Sequence, residues 1–176
     1  IQIQEKLTLT HGRKRKKVAI GLHDMSMLVA PYFYKAVEPK SVSFIPLGKD
    51  RKMDLQEIIE KHEKGIDYAY ILDGAKKYPV IFDSKNQVLS FPPIINGALT
   101  MLTTNTRYIF IDITGLDYHA CNIALNILCQ DFADRGAVVK TVEIKSGGNS
   151  ITSPETSPEK MELDIGFANK LLGTEL

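Results

Sequence analysis

Long apolar runs are missing from this 176-residue chain. Its longest uncharged apolar stretches fall far short of the roughly 20 residues a membrane helix needs, which excludes a helical span. A secretory leader pattern is missing as well. So is charge of one sign: Lys and Arg number 22, Asp and Glu 21, and the net charge is +1. No global field draws the chain to nucleic acid, so any basic patch must be local. Cysteine is scarce. Cys121 and Cys129 stand eight residues apart in one expected helix. That is about 12 Å along the axis, too far for a disulfide. A reducing, cytoplasmic setting fits. His11, His23, His62 and His119 are scattered, with no metal-ligand spacing among them or to the cysteines. No Walker A or G-x-G-x-x-G motif signals a nucleotide site, and no G-x-S-x-G elbow marks a nucleophile. No internal repeat appears. The chain opens on Ile1 rather than methionine, which reads as a segment of a longer protein.

What is present describes an ordinary globular chain. Hydrophobic residues make up 44% and charged residues 24%, enough for one domain with a real core. Ile1–Thr10 reads as a short helix ending near Gly12. The only dense charge run follows, Arg13-Lys14-Arg15-Lys16-Lys17. A solvated turn is its commoner meaning; a phosphate contact is the functional one. Val18–Gly21 reads as a buried strand, with His23-Asp24 just past it. A lone His-Asp pair is more often a hydrogen-bonded turn than a catalytic dyad, so His23 is expected to line a site rather than act as a base. Tyr32-Phe33-Tyr34 is expected in the core, by default. Ser41–Pro46 alternates like a strand. Asp54 caps a helix running from Leu55 to about Lys64, which Gly65 ends, with a second short helix from Asp67 to Leu72.

Pro79–Asp83 and Val88–Phe91 read as strands joined by a turn over Ser84–Gln87. Ala120–Ala133 carries Ile123, Ala124, Ile127, Leu128 and Phe132 at helical spacing, stopped by Gly136. Val138–Ile144 reads as a strand, and Ser146–Pro158 as a polar, mobile loop. A last strand is expected over Met161–Ile165, then a short helix, Phe167–Leu172, capped by Gly173. The sum is an α/β (α+β) fold: a single compact domain spanning 1–176, with helices packed on a mixed β-sheet of six or seven strands.

The stretch Val88–Asp117 is the most informative. The strand Tyr108–Thr114 alternates: Ile109, Ile111 and Ile113 face one way, Phe110, Asp112 and Thr114 the other. On the second face an acceptor-only carboxylate and a hydroxyl sit about 6.6 Å apart, two strand rises, preceded by a ring. Such a wall can hold an apolar ring and read a hydroxyl on it. A half-exposed edge strand with a solvated polar face is the alternative. Pro92–Pro93 directly after Ser90-Phe91, then Ile94 and Ile95 before Asn96, make a stiff apolar loop that suits a cleft better than a random turn.

Three motifs in this order and spacing, VAIGLHD from Val18, LSFPPIING from Leu89 and FIDITGLD from Phe110, resemble the β subunit of archaeal and eukaryotic phenylalanine–tRNA ligases, over the whole chain. The part matched is that subunit's editing domain. The chain departs at Leu116, where a small polar residue is expected after the Thr-Gly pair. The resemblance implies an aminoacyl-tRNA synthetase subunit whose editing domain hydrolyses tyrosine wrongly esterified to the phenylalanine tRNA. It also implies a cytoplasmic α2β2 parent with the α subunit as partner. No cofactor is implied in this domain and no metal site; ATP and Mg serve the parent ligase. By family position Ser90, Pro92, Pro93, Asn96, Asp112 and Thr114 line the editing pocket. Asp112 is the candidate reader of the phenol, with general-base action its competing role. Arg13, Lys14, Arg15 and Lys16 are the candidate RNA contacts. Two other readings remain open at this point: a non-catalytic tRNA-docking module, and a sensor of free amino acid.

Overall fold

The computed structural model describes residues 2–157 and 160–174. Within the span 1–176 the chain divides into two compact units, Ile1–Lys140 and Thr141–Leu176. In order, the first unit holds α1 (Gln2–Leu9), β1 (Val18–Asp24), β2 (Phe33–Val37), β3 (Ser43–Phe44), β4 (Met53–Asp54), α2 (Leu55–Lys61) and α3 (Glu63–Tyr68). These are followed by β5 (Tyr78–Phe82), β6 (Val88–Phe91), β7 (Ile95–Asn96), β8 (Ile109–Gly115) and α4 (Tyr118–Asp134). The second unit holds β9 (Val142–Ser146), β10 (Asn149–Ser153) and α5 (Ile165–Leu172). The class is mixed α/β, and the pairs between these strands are all antiparallel.

The strands do not join one large sheet. They form a four-stranded sheet, β2-β5-β6-β7, and three two-stranded pairs, β1-β8, β3-β4 and β9-β10. Strand periodicity reveals faces but not partners. Here β3, β4 and β7 are only two residues long. Such strands carry few ladder hydrogen bonds: β7 ends the four-stranded sheet as its edge, and β3 and β4 pair only with each other. The β5-β6 ladder also shifts register between Ile81 and Phe82, which limits its growth.

The main core lies on the four-stranded sheet. Val80, Phe82, Val88, Phe91 and Ile94 pack with Phe44, Met53, Leu55 and Ile58. Leu55, Ile58, Val80, Phe91 and Ile94 are wholly buried. Each such side chain stabilises the fold by about 1.5–3 kcal/mol. A smaller cluster joins β1 and β8 to α4, with Val18, Ala120 and Ala124 buried and Ile20, Ile113 and Cys121 against them. Of the isoleucine face of β8 expected in the core, Ile113 packs against this cluster, and Ile109, Ile111 and Ile113 are each half-buried.

Helix α2 begins where the sequence places it, the Asp54 carboxylate accepting from Glu57 N at 2.8 Å. It ends earlier than expected. His62 closes α2 and caps α3, its Nδ1 accepting from Lys64 N at 3.1 Å. Gly65 is not a stop. It lies inside α3, where a Cβ would stand 1.8 Å from Ile58 O, so the two helices meet closely over it.

Tyr32-Phe33-Tyr34 is not a core cluster: Phe33 and Tyr34 are exposed, and Tyr32 packs its ring against Phe110 at 4.5 Å. The expected strand Ser41–Pro46 shrinks to Ser43–Phe44 plus a single bridge from Pro46 to Gly97. The turn after β5 is organised by Asp83, which is fully buried. Its carboxylate accepts from Lys85 N, Gln87 N, Val29 N and Gln87 Nε2 at 2.8–3.1 Å. Burial alone would push this carboxyl up. The hydrogen bonds outweigh it and hold Asp83 below the ordinary carboxylate range.

In the second unit β9 and β10 form a hairpin through Gly147 and Gly148, both at positive φ (57° and 84°), the two-residue turn that favours glycine pairs. Half of the expected loop Ser146–Pro158 is thus a strand. The expected strand Val138–Ile144 starts later, at Val142. Pro158 lies outside the described residues. The expected strand Met161–Ile165 is absent: 161–164 have no regular structure, and α5 starts at Ile165. Helix α5 is capped by Asp164, which accepts from Phe167 N, and ends on Gly173 at φ 66°.

Candidate functional site

The β1-β8 ladder sets the site's geometry. Its register places Ala19 opposite Thr114, Gly21 opposite Asp112, and His23 opposite Phe110. Paired residues share a face, so these six side-chain positions lie on one surface. On the other wall Ser90 pairs with Asn96 and Phe91 with Ile95 across β6-β7, closed by the cis Pro92–Pro93 turn. Between them is a narrow recess lined by Arg15, Gly21, Ser90, Pro92, Pro93, Asn96, Asp112 and Thr114, among others. Its volume is about 20 Å³, which is room for a single water.

Asp112 is buried and His23 wholly so. The His23 Nε2–H meets Asp112 Oδ2 at 2.5 Å. The Ser90 hydroxyl reaches the same oxygen at 3.5 Å, a long contact. On the far side of the ring, His23 Nδ1 lies 2.8 Å from Thr100 Oγ1, and Thr100 is buried. Asp112 Oδ1 receives no hydrogen bond from any described residue. Asn96 donates to Leu22 O at 3.3 Å, which ties the turn to β1. The recess thus presents a carboxylate with one oxygen engaged and one left for a donor.

Six of the seven candidate substrate-binding residues line the recess: Ser90, Pro92, Pro93, Asn96, Asp112 and Thr114. The seventh, His23, stands behind Asp112 rather than on the recess surface. Phe110 flanks the pair, its ring 6.2 Å from that of His23. The basic run is split. Arg13 and Lys14 are exposed, on a turn where residues 13, 14 and 15 all have positive φ. Lys16 lies over the Tyr70 ring at 5.0 Å. Lys17 pairs with Asp117 at 3.4 Å.

Arg15 turns inward instead. Its Nη1 donates to Pro93 O at 2.9 Å and Ile94 O at 2.6 Å, and the guanidinium stacks on Tyr68 at 4.4 Å. Its Nε is buried without a partner. Burial lowers the pKa of Arg15, against a smaller opposing pull from Tyr68. Arg15 is a strut for the Pro-Pro wall.

Thr100, the strut role of Arg15, and Gly21 escaped the sequence reasoning. Thr100 carries no sequence signal. Gly21 does: a glycine inside a strand marks a close approach. A Cβ there would stand 2.0 Å from Asp112 Oδ2 and 2.7 Å from His23 Nε2. Tyr34 is a further neighbour. Although most of its surface is exposed, partial loss of water around it, and then the charge of Asp112, push its phenol up. A larger open groove of about 430 Å³ lies by Lys35, Val42, Phe82 and Val88, but its polar lining is Lys35, serines and Asn86, with no buried ionisable pair. Among the described residues no group of three or more His, Cys, Asp or Glu is placed to hold a metal, and no helix is long and apolar enough to cross a membrane.

No protein-family model matches the chain. Individual proteins do. It is 43% identical over 177 positions to the phenylalanine–tRNA ligase β subunit of Thermococcus sibiricus, covering 100% of this chain and 32% of that protein. The β subunits of Pyrococcus abyssi and Methanococcus aeolicus match at 41% and 43%, again over 100% of this chain and 32% of theirs. Among solved structures it superposes on an N-terminal fragment of the phenylalanyl-tRNA synthetase β subunit of Pyrococcus horikoshii. There the TM-score is 0.93 and the identity 41%, over 98% of this chain and 50% of that one.

The chain therefore spans about a third of the length of these curated relatives. Fold and relatives together define a piece of an aminoacyl-tRNA synthetase subunit. More narrowly, the chain belongs over its whole length to the family of phenylalanine–tRNA ligase β subunits.

Proposed function

We propose that this chain is the proofreading segment of a phenylalanine–tRNA ligase β subunit, and that it hydrolyses tyrosine wrongly esterified to the phenylalanine tRNA. A synthetic pocket shaped for phenylalanine cannot strongly reject an added hydroxyl. A second site can select that hydroxyl instead. The carrying observation is the buried Asp112 carboxylate at the base of the recess, with one oxygen lacking a protein donor. A phenol satisfies it; a phenyl ring leaves it unpaired, which costs about 1–3 kcal/mol or more.

Pro92, Pro93 and Ile95 supply the apolar wall, and Ser90, Asn96 and Thr114 the polar contacts around the amino acid. A tyrosyl group is far larger than the recess of about 20 Å³, so the Pro-Pro wall moves outward on binding. Water then attacks the ester carbonyl. A carbon–oxygen bond forms to water, the bond to the ribose oxygen breaks, and the water's proton passes to that oxygen. No covalent intermediate with the protein is needed. Positioning of the water by backbone and hydroxyl groups lowers the barrier.

Arg13, Lys14 and Lys16 are exposed on the basic turn beside this wall and meet tRNA phosphates, whereas Arg15 acts on the wall itself. The α subunit completes the cytoplasmic α2β2 parent ligase, where ATP and Mg are used. The test is tyrosine release from tyrosyl-tRNA by the full-length β subunit assembled with its α partner. Asp112→Asn is expected to slow release about tenfold or more. Release at the parental rate would remove the carboxylate from both its reading and its general-base roles.

The narrowness of the recess favours a second reading, a docking module without hydrolysis. In that case Asp112→Asn changes nothing, and tRNA binding falls steeply with salt.

A further inference from the structure

His23 is wholly buried, and its ring is held at both nitrogens, by Asp112 Oδ2 at 2.5 Å and Thr100 Oγ1 at 2.8 Å. A carboxylate only accepts hydrogen bonds, so the proton on this edge of the ring belongs to Nε2. In the neutral ring Nδ1 then accepts from the Thr100 hydroxyl, the shortest contact of that hydroxyl at 2.8 Å, against 3.2 Å to Gly97 O and 3.4 Å to Leu89 O. Thr100 is itself anchored, its N–H donating to Gly97 O at 3.3 Å. Gly21 lies directly beneath the pair, where any Cβ would overlap Asp112 Oδ2 at 2.0 Å. Two residues of β1, His23 and Gly21, thus close on one carboxylate oxygen of β8, with Thr100 from the segment after β7 behind the ring. A solvated aspartate would need none of this.

We infer that His23 is a positioning residue for Asp112. Through the Thr100–His23 relay it engages Oδ2, fixes the carboxylate's rotation, and leaves Oδ1 as the oxygen offered to a phenol. His23 touches no substrate; its effect is on which ester is chosen. This inference rests on the proofreading role proposed for the recess. It adds that tyrosine selectivity is set by a group outside the recess surface, on an element that also supplies the glycine making room for it. A preorganised acceptor discriminates because an unheld carboxylate can rotate, find water and lose the cost of an unpaired site.

The test uses the full-length β subunit assembled with its α partner, and compares deacylation of tyrosyl-tRNA with that of phenylalanyl-tRNA. His23→Leu removes the donor and keeps the bulk. His23→Gln restores an N–H at about the reach of Nε2. Expected are a fall of about tenfold in the tyrosine-over-phenylalanine ratio of kcat/KM for His23→Leu, and recovery to within about threefold for His23→Gln. Gly21→Ala, which crowds the pair without touching its chemistry, is expected to fall like His23→Leu. An unchanged ratio in His23→Leu overturns the inference. So does an equal fall in His23→Leu and His23→Gln, because a donor restored in place then counts for nothing. Asp112→Asn, measured alongside, separates the two levels. If it lowers the ratio while His23→Leu does not, the positioning role fails and the phenol reading stands. If it leaves the ratio unchanged, the phenol reading fails and the role of His23 fails with it.

Discussion

The two larger sheet regions of the first unit are built on opposite principles. The four-stranded sheet buries a continuous apolar cluster, from Phe44 through Ile94. The β1-β8 pair meets α4 over a smaller apolar cluster, Val18, Ala120 and Ala124, yet it carries the buried His23 and Asp112. One region holds the larger apolar core and the other the buried His23–Asp112 pair. The recess lies where they meet, with Ser90, Pro92 and Pro93 from the first and Gly21, Asp112 and Thr114 from the second. A wall carried on a well-packed sheet lets the opposite wall hold polar groups that by themselves add little stability.

Substitutions can break that contrast, and the largest effect belongs to the apolar side. Phe91→Ala, at a wholly buried position, is expected to cost about 3–5 kcal/mol, seen as a lower urea midpoint. Gly65→Ala comes next, because its Cβ would meet the Ile58 carbonyl at 1.8 Å. A cost of about 2 kcal/mol or more is expected in the same assay, with the loss centred on α2 and α3. A cost below about 0.5 kcal/mol would mean the helices part easily there.

Arg15→Leu tests the link between the regions. It removes two hydrogen bonds to the Pro-Pro wall and the stack on Tyr68. A loss of about 1–2 kcal/mol is expected. Faster amide exchange should also appear at Ile94 and Ile95, while Arg13→Ala leaves both unchanged.

Smallest is the acid limb set by Asp83. Its carboxyl is held below the ordinary range, so the stability it contributes is fully present above the unfolded-state pKa and is lost as pH falls through the folded value. Asp83→Asn is therefore expected to flatten the decline of the urea midpoint below about pH 4. An unchanged slope would contradict the hydrogen-bonded turn.

The local elements were largely legible in the sequence. The Asp54 cap, the alternation of β8, the apolar stripe of α4 and the glycine stop at Gly173 are all short-range signals, and the chain obeys them. Strand partners were not legible. Nothing in the alternation of Val18–Asp24 says that its mate is Ile109–Gly115, and that pairing is what brings His23 to Asp112. For the same reason His23 could be suspected as a site neighbour but not placed behind the carboxylate. Thr100 was invisible because one threonine among several in a loop has no period. Arg15 looked like its basic neighbours, and only the turn at positive φ directs it inward. Gly65 misled because a glycine that permits close packing has the same letter as one that ends a helix.

The charge balance of the recess gives the most direct measurement. In the full-length β subunit assembled with its α partner, tyrosine release from tyrosyl-tRNA is compared for the parent and Asp112→Asn, with phenylalanyl-tRNA as reference. The expected result is a fall of about tenfold or more for the tyrosyl ester and little change for the phenylalanyl ester. Equal rates for parent and variant on both esters would contradict the claim that a buried carboxylate, held from behind, tells the two amino acids apart.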